Sequence, residues 1–262
     1  MNLDLTNKTA LVCGASQGLG LASATELALF GANIIAASRS EEKLKAAISQ
    51  LDTLKGQQHT FLVMDLSEPE AVKQTVSAFL AKDNVVHILI NNAGGPSSGP
   101  MIDTDAAEME KAFRTHVISS HILAQLVVPD MKNAGFGRIV NIVSTSVKQP
   151  INGLGISNVV RAAVANWAKT LANEISSFGI TINNVLPGFT NTDRLTYLFS
   201  QQASERGLTT NDIFEMTIST IPAKRVGKPE EFGAAVAFLC SPAAAYINGV
   251  NLTVDGGRTG SL

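Results

Sequence analysis

The chain has 262 residues, 45% hydrophobic and 16% charged, with a formal net charge of −2. That length suits one α/β domain, and that composition excludes a disordered tail. The slight acidic excess leaves no basic field, so neither nucleic acid nor an anionic membrane is expected as a partner.

Two cysteines, Cys13 and Cys240, are too few for a disulfide framework. The first residues lack the cationic and apolar regions of a signal peptide. No apolar run approaches the roughly 18 residues that span a bilayer, so a cytoplasmic protein is expected.

In chain order, apolar runs rich in Val, Ile and Leu fall at 9–13, 33–37, 60–64, 85–90, 138–143, 181–186 and 250–254. Continuous apolarity, rather than alternation, is what strands buried on both faces require. Between them, helical spacing occupies 18–30, 41–54, 68–81, 106–131, 154–177 and 230–239. Gly31 and Gly179 stand where a helix end needs positive φ. Ser67 and Glu70 have capping-box spacing, with Pro69 in the first turn. Such alternation predicts right-handed βαβ units in a doubly wound parallel sheet of about seven strands. Residues 190–228 break the rhythm and are expected to form a small helical lid within a single domain spanning 1–262. Its apolar residues, among them Leu195, Phe199 and Phe214, could line a pocket or cover the sheet. Arg194 and Arg206 could meet an anionic substrate or stay solvated.

Gly14, Gly18 and Gly20, with Ser16, Gln17 and Leu19 between them, follow the first strand and open the first helix. Glycines in that setting let the backbone approach a pyrophosphate, whose charge the helix N-terminus favours. Further motifs follow in order: Asn91, Asn92, Ala93 and Gly94 after the fourth strand, Pro187 and Gly188 after the sixth, and a stretch from Asn248 to Gly257. Together they resemble the short-chain dehydrogenase/reductase family, nearest its 3-oxoacyl-(acyl-carrier-protein) reductase-like members.

The resemblance implies a Rossmann-like fold, a nicotinamide cofactor, a small carbonyl or alcohol substrate and a homotetramer. It places Asp65 and Leu66 by the adenine, and Asn92, Ala93 and Gly94 along the cofactor groove. Pro187, Gly188, Thr190 and Thr192 would border the nicotinamide half. Where an NAD site carries an acidic residue after the second strand, this chain has Ser38, followed by Arg39. A guanidinium suits a 2′-phosphate, so NADP(H) is favoured over NAD(H), the alternative being a solvated Arg39. No metal-ligand spacing occurs, and no metal is expected.

Family members reduce ketones with Asn, Ser, Tyr and Lys. By position, Ser144 matches the Ser, but Ser157 and Arg161 replace the Tyr and Lys, and His116 replaces the Asn. A phenol has a pKa near 10, whereas an alcohol lies near water's value of about 15.7, so Ser157 is a poor acid. Arg161 can bind ribose hydroxyls but cannot adopt a neutral form, so it is a poor proton carrier. An ordinary imidazole pKa near 6.5 makes His116 the best-matched acid among the four. Three readings stay open: a reductase with an unusual proton donor, a dinucleotide-binding sensor or assembly subunit, and a fold whose four positions only pack.

Overall fold

In the computed structural model, seven strands lie side by side and all parallel: β1 (Thr9–Cys13), β2 (Asn33–Ser38), β3 (Thr60–Val63), β4 (Ile88–Asn91), β5 (Gly137–Ile142), β6 (Ile180–Pro187) and β7 (Asn251–Val254). Their order is β3-β2-β1-β4-β5-β6-β7. The structure describes residues 1–261, so the last position of the 1–262 domain lies outside the described residues. Nine helices complete these residues: α1 (Gly18–Leu29), α2 (Glu41–Ile48), α3 (Pro69–Leu80), α4 (Ala106–Phe113), α5 (Ser119–Ala134), α6 (Gly155–Ile175), α7 (Asp193–Arg206), α8 (Thr210–Ser219) and α9 (Pro229–Cys240).

Alternate strand residues feed two cores. Val12, Ile34, Ile90 and Val140 pack with Leu27 of α1 and Val236 of α9 on one face. Leu11, Leu89, Ile139 and Ile182 pack with Val72 of α3, Leu123 of α5 and Ala168 of α6 on the other. Burial on both faces explains why the inner strands read as unbroken apolar runs, whereas the edge strands β3 and β7, expected to be buried as well, are partly exposed. Among the described residues, no helix is long and apolar enough to cross a membrane.

Some elements depart from their sequence pattern. The helical spacing at 41–54 ends at Ile48, where Ser49 Oγ and Gln50 Nε2 both donate to the Ala46 carbonyl, at 2.9 and 3.1 Å. The single helix expected at 106–131 is two helices joined by a π turn at Arg114–Ile118, closed by the Ser119 N–H on the Arg114 carbonyl. The second helix then continues past Pro129 to Gly135, which takes φ 58°. At 67–70 no capping box forms, because the Ser67 hydroxyl donates to Asp65 instead. Gly31 and Gly179 do adopt positive φ, 101° and 75°.

One polar feature runs through the sheet. Asn91, Asn141, Asn184 and Asn251 stand in register on neighbouring strands. Each amide donates to the next across β4 to β7, at 2.8 Å throughout. A buried amide must find partners or bear a desolvation penalty, and this chain meets that need sideways, except at Asn91 Oδ1, which is buried without a partner.

Candidate active site

Neighbouring strands β1 and β4 lead to helices on opposite faces of the sheet. The crevice beyond their C-terminal ends is where open α/β sheets bind ligands. The turn after β1 needs its glycines. A Cβ on Gly20 would stand 2.2 Å from the Gly14 carbonyl oxygen, and one on Gly14 2.5 Å from Asn92 Nδ2. Gly14 and Gly18 take φ of 63° and 59°. Asn92 Nδ2 donates to the Cys13 carbonyl at 3.3 Å, joining the β4 loop to the glycine turn.

Gln17 caps α1 without a side-chain bond, which leaves first-turn N–H groups for an anion. These features fit a dinucleotide's pyrophosphate. Of the remaining residues in the turn, Ser16 is half-buried, and Leu19 packs against the first core.

At the end of β2 the Ser38 hydroxyl is buried without a partner, and Arg39 is exposed and outside any ion pair among the described residues. Lys43 was not singled out by the sequence. Its Nζ donates to Gln17 Oε1 at 3.1 Å and ties α2 to the glycine turn. Asp65 Oδ1 accepts from both the N–H and the hydroxyl of Ser67, and the Leu66 carbonyl accepts from Ser119 Oγ at 2.6 Å.

Pro187 ends β6, and Gly188 lies where a Cβ would meet Asp255 at 2.5 Å. Thr190 bridges to Gly227. Thr192 caps α7 and lies 3.8 Å from where a Cβ on Gly18 would stand, so the 190–228 segment starts over the glycine turn. Its helices α7 and α8 make their own small core from Leu195, Phe199, Ala203 and Ile213 with Phe189 and Phe214. Arg194 and Arg206 are exposed; a terminal nitrogen of Arg194 lies 3.8 Å from where a Cβ on Gly95 would stand.

The reaction end forms around β5 and α6. Ser144 follows β5 and is half-buried, its Oγ accepting from the Ser146 N–H at 3.1 Å. Ser157 and Arg161, four residues apart, share one face of α6. The Ser157 hydroxyl is half-buried and makes no hydrogen bond among the described residues. Arg161 is only 8% exposed. One terminal nitrogen donates to the Ile142 carbonyl at 2.7 Å, and the other to the Ala93 carbonyl at 3.2 Å. Burial lowers its pKa to about 10, so it remains a cation at neutrality.

His116 sits within the π turn and is 4% exposed. Burial, reinforced by the Arg161 charge, lowers its pKa to about 3 against a small opposing pull from the Gly94 backbone. This corrects the expectation of an ordinary imidazole: at neutrality the ring is uncharged and is no matched acid. The Cys13 thiol, pushed up to about 12 by burial, is no thiolate either. Among the described residues no group of three His, Cys, Asp or Glu could hold a metal ion.

A parallel doubly wound sheet with a glycine turn at its switch point defines a Rossmann-like α/β protein. Residues 14–259 match the family model described as enoyl-(acyl carrier protein) reductase. The 3-oxoacyl-[acyl-carrier-protein] reductase FabG of Vibrio cholerae is 34% identical over 97% of this chain and 98% of its own. A tropinone reductase homolog of Arabidopsis thaliana is 36% identical over 97% and 94%. The L-sorbose reductase of Gluconobacter frateurii, solved with NADPH and L-sorbose, superposes with a TM-score of 0.93 at 29% identity, covering 100% of each chain. The chain belongs to the short-chain dehydrogenase/reductase family and is an oxidoreductase of that family.

Proposed function

We propose that the protein transfers hydride between NADP(H) and a small carbonyl compound of the 3-oxoacyl-like kind, without the usual side-chain proton donor. The observation that carries this reading is the glycine cradle. The Gly14–Gly20 approach admits no Cβ, and the first turn of α1 keeps its N–H groups free of a side-chain cap.

Gly14, Ser16, Gln17, Gly18, Leu19 and Gly20 would hold the pyrophosphate, with Thr192 above. Asp65 and Leu66 would border the adenine, and Asn92, Ala93, Gly94, Pro187, Gly188 and Thr190 the nicotinamide half. Ser38, Arg39 and Lys43 would take the 2′-phosphate, which favours NADP(H) over NAD(H). The bound cofactor supplies the hydride. Ser144 and Ser157 hold the substrate oxygen, Arg161 meets the ribose and keeps a fixed positive charge beneath the site, and water provides the proton. The small residues Ala162 and Ala163, which are not buried within one copy, would let a second copy approach α6. Further along, α5 and Leu171 of α6 form a groove of about 580 Å³, a surface that a second copy would cover.

Titrating NADPH and NADH by calorimetry, then following NADPH loss over a panel of carbonyl compounds, tests the reading. Arg39→Glu should weaken NADPH about tenfold or more, one charge-assisted contact's worth, and narrow its advantage over NADH. An unchanged preference removes Arg39 from the phosphate site. A second reading, a binding subunit without turnover, draws on one observation: none of the four positions offers an acid near neutrality. Tight NADPH binding with no consumption across the panel would establish it.

A further inference from the structure

An asparagine followed by glycine is open to attack by its own backbone, because glycine has no Cβ to shield its nitrogen or restrict its rotation. Two such pairs occur, Asn152–Gly153 and Asn248–Gly249, and the fold treats them oppositely. Asn248 is held at both ends of its amide: Oδ1 accepts the Ile182 N–H at 2.8 Å, and Nδ2 donates to the Ala172 carbonyl at 3.2 Å. The Gly249 N–H donates to the Ile182 carbonyl at 2.8 Å. Asn152 and Gly153 are exposed instead, and neither the Asn152 amide nor the Gly153 N–H is hydrogen-bonded among the described residues. They form the tip of a turn that the Leu154 N–H closes on the Ile151 carbonyl at 3.2 Å, with Gly153 at φ 76°.

That turn is a fastening. On one side Asn158 of α6 clamps Ile151, accepting its N–H at 3.2 Å and donating to its carbonyl at 2.9 Å. On the other, the Gly99 N–H donates to the Gly153 carbonyl at 2.7 Å, and the Gly155 N–H donates to the Gly99 carbonyl at 3.1 Å. The contact is close, since a Cβ on Gly155 would stand 2.7 Å from Met101 Cα. The loop after β4 is thus joined through Gly153 to the first turn of α6, which carries Ser157.

We propose that Asn152 is a self-modification site, where the chain converts its own asparagine to isoaspartate and so loosens the loop beside Ser157. The Gly153 nitrogen loses its proton to hydroxide and bonds to Asn152 Cγ. The Cγ–Nδ2 bond breaks, and that nitrogen leaves as ammonia with a proton from water, which leaves a succinimide ring. Water then adds to one of the two ring carbonyls and breaks its bond to nitrogen. Opening at Cγ gives aspartate. Opening at the main-chain carbonyl gives isoaspartate, in which the chain runs through Cβ and Cγ. One water enters, one ammonia leaves, and nothing is oxidised or reduced. Isoaspartate inserts a backbone atom between residues 152 and 153 and displaces the Gly153 carbonyl from Gly99, and a hydrogen bond weakens steeply once its geometry is lost. The covalent step is independent of the NADP(H)-dependent reading above; only its effect on turnover rests on that reading.

Ageing the purified protein at mildly alkaline pH and mapping its tryptic peptides by mass spectrometry tests the modification. The 149–161 peptide should gain the mass of an amide-to-acid conversion at residue 152 and separate into aspartyl and isoaspartyl forms. Asn248 and Gly249 must release three hydrogen bonds together before they react, so residue 152 should convert at least about tenfold faster. In urea the two pairs should convert at comparable rates. An intact Asn152 in the aged folded protein, or equal rates at both pairs, overturns the proposal. A difference that survives urea overturns the part given to the fold.

The loosening is read by amide hydrogen exchange. In the isoaspartyl protein the Gly99 and Gly155 amides should exchange about tenfold faster or more, as expected when the bond holding each is lost. Asn152→Asp supplies the charge without the extra backbone atom and should keep both amides protected. Asn152→Ala should neither age nor lose protection. Unchanged exchange in the isoaspartyl protein, or equal loss in Asn152→Asp, overturns the loosening by chain insertion. NADPH consumption should fall in step with the isoaspartyl fraction, and a constant rate overturns the link to Ser157. No consumption at all fails the reading above and leaves the mass and exchange results to decide this one.

Discussion

His116 titrates far below an ordinary imidazole because burial and the neighbouring Arg161 act in the same direction. Its folded pKa is about 3, against roughly 6.5 for an exposed ring. Between those values the unfolded chain binds a proton on this ring that the folded chain refuses. Stability therefore rises with pH across that window and is lost as pH falls below about 6.5, at about 1 kcal/mol per unit for this one group. Urea titrations at pH 4, 5, 6 and 7 should show the loss, and His116→Asn should flatten it relative to the unsubstituted protein. An identical profile in both would remove His116 as its source. The identity of this residue was legible in the sequence, but its charge state was not. That state depends on the depth of the ring and on a cation brought close only by the packing of α6 against the π turn.

At the scale of elements, the asparagine row shows how strand register can hold a sheet. Asn141 is fully buried, and its amide is engaged on both sides. Asn141→Ala leaves a donor on Asn91 and an acceptor on Asn184 buried without partners, a cost of about 2–5 kcal/mol. Asn251 lies at the exposed end of the row, and Asn251→Ala leaves only the Asn184 donor without its acceptor, a smaller cost of about 1–2 kcal/mol. Chemical denaturation of both variants checks the contrast; equal losses would mean that the row contributes little beyond its separate residues. Each asparagine is visible in the sequence as a polar break in an apolar run. Their alignment is not, because register is set by strand pairing rather than by local pattern. The glycine turn was legible for the opposite reason: its constraint is local, a strand, a tight turn and a helix in immediate succession.

Across the whole molecule, the doubly wound parallel sheet was legible in the alternation of apolar runs and helical spacing, but the order of its strands was not, because pairing is long-range. The net charge of −2 conceals an uneven distribution. Arg39 and Lys43 stand together at the β2 end of the crevice, and Arg161 and Arg194 flank the loop after β4. Partly exposed cations are screened by salt, while the glycine cradle acts through backbone contacts that salt affects less. NADPH affinity should therefore fall more steeply than NADH affinity as ionic strength rises from about 0.01 to 0.5 M, a range over which the Debye length shrinks severalfold. Parallel calorimetric salt series measure the two slopes. Equal slopes would show that the β2 cations take no part in discrimination. The 190–228 segment was legible as an interruption, but its internal core was not, since irregular apolar spacing does not reveal which side chains meet.

The π turn at Arg114–Ile118 carries one residue more than ordinary helical winding would hold. Excising a single residue there would leave a continuous helix, but α4 would swing by about 100° relative to α5. Ala112 would turn away from Ile156 and Val160, with which it packs, and the imidazole would leave the underside of the Gly94 loop. A change in chain length at this point would thus reshape the floor of the crevice while every side chain around it stayed the same.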